Sequence, residues 1–171
     1  FLDEIFAKCN IQISVKTRLG MEDASGFPEL MKLYNKFPMK ELIIHPRVQK
    51  DFYKNTPNLE MFAEAFAMST NPVCYNGDIF CVEDHQRICE RFPELDAVMS
   101  GRGTLTNPAL AREIRGGQAL TKAELRKFHD LVYHTYRAEV SGDRNVLFKM
   151  KELWFYMGPL FANNKKYLKK I

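Results

Sequence analysis

MSGRGTLTNP, residues 99–108, follows a short strand-like run at 96–99 and sets two glycines around an arginine, then Asn107-Pro108. Glycine loses more conformational freedom on folding than any other residue. It is retained where a turn needs positive φ or where a backbone must come close to something else, often a phosphate. Asn-Pro suits the opening of a helix, because proline in the first turn forfeits no intrahelical hydrogen bond. Read as strand, glycine turn and short helix, the stretch is the close of a β-then-α unit.

Three similar units lie upstream. The runs IQISVK (11–16), ELIIH (41–45) and PVCYN (72–76) join DAVMS (96–100) as short strands. Between them, 27–36, 58–68 and 83–92 have helical character. Pro28 suits a first turn, Asn58 is a good cap, and Leu59, Phe62, Ala63 and Phe66 share one face. Four strands alternating with helices predict an α/β fold with a parallel sheet. An open doubly wound sheet and half of a (β/α)8 TIM-type barrel both fit, since a full barrel typically needs about 250 residues.

Beyond Gly116-Gly117 the pattern changes. Thr121 and Glu124 make a capping box. Leu125, Phe128, Val132 and Tyr136 then recur at helical spacing, and Val146, Met150, Leu153, Trp154 and Met157 do so after the turn Ser141-Gly142-Asp143. Two amphipathic helices without a strand between them predict a small helical domain, ended by Gly158-Pro159. The expected division is 1–115 for the half-barrel and 116–171 for the helical part.

Composition narrows the setting. No apolar run approaches the roughly 20 residues of a membrane span, and the start FLDEIFAKCN has neither the basic nor the apolar region of a signal peptide. Cys9, Cys74, Cys81 and Cys89 have no CxxC spacing, which favours reduced thiols in a cytoplasmic protein. Residues 1–110 carry 12 basic against 15 acidic side chains, while 111–171 carry 13 against 6, a net +7. An excess of that size in a helical tail ending KKYLKK points to a polyanionic partner.

The carboxyl ends of the strands collect polar groups. Lys16 and Arg18 close the first, His45 and Arg47 the second, Asn76-Gly77-Asp78 the third and Gly101-Arg102-Gly103 the fourth. Each has an ordinary use: a solvated lysine, a loop histidine, an Asn-Gly-Asp turn. The glycine pair is no dinucleotide fingerprint, because position 106 is Thr. Their coincidence at one edge matters more, since parallel α/β sheets bind ligands there. The glycine-bearing turns follow the last two strands, where such barrels often hold a phosphate.

In that order and spacing, VKTRLG, IIHPR, YNGDI and MSGRGTLTNPAL resemble strands five to eight of the tRNA-dihydrouridine synthase family, flavin-dependent (β/α)8 enzymes with a helical C-terminal domain. The resemblance covers essentially the whole chain. It implies that Lys16 and His45 contact FMN, that Asn76, Gly77, Asp78, Gly101 and Arg102 hold its phosphate end, and that Arg18, with Arg47, faces the RNA. It implies reduction of the C5–C6 bond of a flipped-out tRNA uridine, with NAD(P)H as hydride source, and tRNA binding by the basic helical part. The chain departs from the family at Pro46, where a small residue is common. It also contains no N-x-G-C-P motif, the setting of the family's proton-donating cysteine.

The expectation is therefore a C-terminal half without its catalytic acid, inactive alone, without a metal, and self-associating or requiring its N-terminal half. Another FMN-binding barrel oxidoreductase, of the dihydroorotate dehydrogenase or ene-reductase kind, and a non-enzymatic basic RNA-binding module remain alternatives. Salt-dependent tRNA binding separates the first from the synthase reading, and flavin retention separates the second.

Overall fold

The computed structural model describes residues 1–169; Lys170 and Ile171, the end of the basic tail, lie outside them. The elements run α1 (Leu2–Lys8), β1 (Ser14–Arg18), α2 (Phe27–Tyr34), β2 (Glu41–His45), α3 (Leu59–Met68), β3 (Val73–Asn76), α4 (Val82–Arg91) and β4 (Ala97–Met99). Then follow α5 (Arg102–Thr106), α6 (Leu110–Ile114), α7 (Lys122–Glu139), α8 (Asp143–Met157) and α9 (Asn164–Leu168). The four strands form one parallel sheet in the order β1-β2-β3-β4. This is the α/β alternation expected of half a (β/α)8 barrel, followed by a helical part.

Register decides what each face of the sheet carries. Val15, Leu42 and Val73 lie abreast, then Thr17, Ile44, Tyr75 and Val98. These residues meet the helices. Tyr34 of α2 donates its hydroxyl to Thr17 Oγ1 at 3.0 Å, and Phe62 of α3 packs edge-on against Tyr75, ring centres 5.0 Å apart. Leu42, Ile44 and Phe62 are sealed from solvent, as the continuous apolar run in β2 requires. Asn58 caps α3 by accepting the Met61 N–H at 3.0 Å.

The alternate residues, Lys16, Arg18, Ile43, His45, Cys74 and Asn76, point to the other face, because side chains alternate along a strand.

Two differences from the sequence reading bear on the site. The first strand is not 11–16: β1 begins at Ser14 and runs through Arg18, while Ile11 is 75% exposed. Its limits are set by pairing, with Ser14 opposite Glu41 and Arg18 opposite His45. Lys16 therefore lies inside the strand rather than past its end. The helix expected to open at Asn107-Pro108 is two short helices instead. Gly101 stands at the N-terminus of α5, Asn107 ends it, and α6 begins at Leu110.

The chain forms two compact units. One comprises Phe1–Asp78 with Arg87–Met99; the other comprises Ile79–Gln86 with the chain from Ser100 onward. The core of the second unit is Leu125 of α7 with Val146, Met150, Leu153 and Met157 of α8, flanked by Phe128, Val132 and Tyr136. The capping box that starts α7 is formed: Thr121 Oγ1 accepts the Glu124 N–H at 3.2 Å, and Glu124 accepts the Thr121 N–H at 2.9 Å. Arg112 of α6 grips the same carboxylate through both terminal nitrogens, at 2.7 and 3.0 Å. Together they hold the Glu124 pKa down at about 2. No helix among the described residues is long and apolar enough to cross a membrane.

Candidate functional site

Within the first unit, the face of the sheet that carries Lys16, Ile43 and Cys74 ends in a row of polar groups supplied by neighbouring strands. Arg18 and His45 are register partners at the ends of β1 and β2. Asn76, at the end of β3, is opposite Met99 of β4 and donates its side-chain amide to the Met99 carbonyl at 2.8 Å. Lys16 stands one step back, beside Ile43. Partial burial, with Arg18 nearby, lowers the Lys16 pKa. Below this row, burial pushes the Cys74 thiol up to about 11, aided by Glu41, so it is no ready thiolate.

His45 is buried, 6% exposed. Its ring stacks on Tyr53 at 6.2 Å between centres, and the same tyrosine ring lies under the Arg18 guanidinium at 5.6 Å. Desolvation is the chief cause that pulls its pKa down to about 4; Arg18, Arg47 and Lys16 add to it and Asp78 opposes. At neutral pH the imidazole carries no charge.

Arg47 is placed differently from the RNA-facing role the sequence implied. Its side chain is 1% exposed. Nη1 and Nη2 both donate to Asp78, the first at 3.0 Å. Nη1 also lies 3.1 Å from His45 Nε2, and Nε donates to the Asn55 carbonyl at 2.5 Å. A side chain so enclosed has no surface left for RNA. The Asp78 carboxylate is turned to Arg47, so its bearing on an anion is through that pair. Arg18 reaches over the same loop, donating to the Val48 carbonyl at 3.0 Å.

Pro46 does not disturb this loop: its carbonyl accepts the Asn58 N–H at 2.7 Å, tying it to the start of α3.

Gly101 and Arg102 belong to the second unit. A Cβ at Gly101 would meet nothing within 4 Å, whereas one at Gly103 would lie 1.9 Å from the Ile79 carbonyl oxygen. Gly103 is thus required for close packing inside α5. Arg102 stacks over Phe80 at 5.3 Å and lines a cavity of about 560 Å³ with Phe80, Phe155, Tyr156 and Lys165. In the first unit, a Cβ at Gly77 would strike the Tyr75 hydroxyl, which occupies that space.

One residue and one pairing carried no sequence signal. Tyr53 sits in a loop without periodicity, and the Arg47–Asp78 pair spans 31 residues. Among the described residues no cluster of His, Cys, Asp and Glu has the makings of a metal site, and none of the four cysteines is in a disulfide.

Residues 1–157 match the family model described as Dihydrouridine synthase (Dus). The chain is 31% identical over 109 residues to the tRNA-dihydrouridine(16) synthase of Pseudomonas syringae pv. tomato, covering 64% of this chain and 34% of that protein. It is 35% identical over 105 residues to the enzyme of the same name from Shewanella oneidensis, covering 61% and 33%. A Helicobacter pylori protein named "Probable tRNA-dihydrouridine synthase" is 30% identical over 144 residues, covering 84% and 43%. The chain thus spans between 33% and 43% of the length of these relatives.

Proposed function

The chain belongs to the dihydrouridine synthase family, and from that premise we propose that it supplies the flavin-binding edge and RNA-binding helices of a tRNA-dihydrouridine synthase. The observation that carries this reading is the row of Lys16, Arg18, His45 and Asn76 along one face of a parallel sheet, at its carboxyl edge. The chemistry of the donors fits FMN. Two cations, Lys16 and Arg18, suit an anionic ligand, and the Asp78 carboxylate beside His45 is already paired with Arg47.

In this proposal Lys16 and His45 face the ring, and Asn76, Gly77 and Asp78 shape the bed toward the phosphate. Gly101 and Arg102 retain the phosphate role on the strength of their motif, two and three residues past β4. Arg18 faces the uridine. FMN, recharged by NAD(P)H, would supply hydride to the C5–C6 bond of a uridine taken out of its stack, since a stacked base cannot lie flat against a flavin. Lys16 offers charge for an electron-rich ring edge, while neutral His45 orients without competing for the hydride's counter-charge. The basic helices α7 to α9 provide phosphate contacts that position the tRNA. The proton donor is proposed to lie outside these 171 residues, which alone would not catalyse. The setting is the cytoplasm.

The test is titration of the intact protein carrying this chain with FMN, read by visible absorbance, beside Lys16→Ala and Arg102→Ala. Both variants are expected to weaken binding at least tenfold. FMN binding indifferent to both substitutions would overturn the assignment, and an intact protein that binds tRNA but never flavin would overturn the enzyme reading.

A further inference from the structure

A guanidinium has donors only and stays protonated in proteins. Arg47 Nη1 lies 3.1 Å from Nε2 of His45 in a buried pair. Nε2 must therefore accept, which leaves the ring proton on Nδ1 and the ring uncharged. The arrangement is held from behind. Asp78 takes both terminal nitrogens of Arg47, and the Asn55 carbonyl takes Nε, so the guanidinium plane cannot turn away. The three charged groups around His45 besides Arg47 are Arg18, Lys16 and the already engaged Asp78. Tyr53 closes one ring face.

From this geometry we infer that Arg47 is a positioning residue that locks His45 in its Nδ1–H tautomer, so that His45 presents any ligand with a neutral hydrogen-bond donor. The lock is a property of this chain; that its ligand is a flavin rests on the reading above. It also limits the ligand chemistry. The atom meeting Nδ1 must be an acceptor, such as a carbonyl oxygen or an unprotonated ring nitrogen, and full negative charge must be met by Lys16 or Arg18 instead.

The lock also explains why a buried arginine ends IHPR. A lysine there has a donor but no fork, and cannot hold Asp78 and His45 at once in fixed geometry.

The experiment is long-range proton–nitrogen correlation on the intact protein labelled at histidine nitrogens, with His45 assigned by the signal lost in His45→Gln. Wild-type protein is expected to show the Nδ1–H pattern at pH 7 and no titration of His45 down to pH 5. Arg47→Met is expected to give a mixed tautomer and a His45 signal that moves with pH in that range, with FMN binding weakened at least tenfold. Arg47→Lys, which keeps the charge but not the fork, is expected to retain only part of the Nδ1–H pattern. An Nε2–H or imidazolium pattern in the wild type at pH 7 overturns the inference without recourse to a variant, even if Arg47→Met fails to fold. An Nδ1–H pattern in a protein that binds no FMN overturns the flavin reading and leaves the lock standing.

Discussion

Cys74 and His45 are ionisable groups made quiet by burial, on the same face of the sheet. The thiol is pushed up to about 11 and the imidazole down to about 4, each toward its neutral form. Alkylation followed by mass spectrometry is expected to label exposed Cys9 first. Cys81, exposed but with its pKa raised by Glu83, should follow, and Cys74 should react only on unfolding. For His45 the sign is fixed by linkage. The unfolded chain takes up its proton near 6.5 and the folded chain only near 4. Stability from this group is therefore full above pH 6.5 and drains as pH falls toward 4. Urea midpoints at pH 7 and pH 4.5 should drop more in wild type than in His45→Gln; equal drops would contradict the neutral histidine. Sequence alone singled out His45 and Asp78 but not their link, because nothing in either motif says that Arg47 turns inward to join them. That is decided by the fold of a loop, where no periodicity operates.

Among the elements, β1 and α5 show where local reading ends. Ile11, Ile13 and Val15 alternate as a strand should, yet β1 is placed three residues later, because its ladder with β2 decides which residues pair. The Gly-Arg-Gly of α5 reads as a turn by propensity, and packing overrides it: the helix passes so close to the Ile79 carbonyl that only glycine fits at 103. Gly103→Ala should therefore be destabilised by about 1–3 kcal/mol in urea unfolding, as overpacked sites are. Gly101→Ala, with open space at its Cβ, should cost little stability. A loss of FMN affinity in Gly101→Ala without loss of stability would be the mark of a phosphate contact there. The capping box at Thr121 was legible because its spacing is local; Thr121→Ala should cost about 1 kcal/mol.

At the scale of the whole molecule, charge is the feature that sequence conveys best, since it needs no fold to be counted. The net +7 of residues 111–171 is carried in part by α8, whose exposed Arg144, Phe148, Lys151 and Phe155 recur at helical spacing. Arg144 lies over the Phe148 ring at 5.5 Å. Cations alternating with exposed aromatic rings suit phosphates and unstacked bases. Arg144→Ala and Lys151→Ala are each expected to weaken tRNA binding and to lower the salt dependence by about one ion. FMN absorbance should be untouched. An unchanged slope in both variants would move the RNA to another face. The α/β alternation was equally legible, because four strand periods separated by helical ones can build little else.

The simple strand order has a consequence for how the chain comes into being. Each strand of the sheet pairs with the one made just before it, so no ladder waits for a distant segment. A ribosome delivering residues at about 5–20 per second would release β2 with β1 already available as a template, then β3, then β4. The helices α2 and α3 emerge in the intervals and can close over the outer face as it grows. Such a sheet can be assembled vectorially, its growing edge always the most recent strand, and every nascent chain must carry one unpaired edge forward until the next strand arrives.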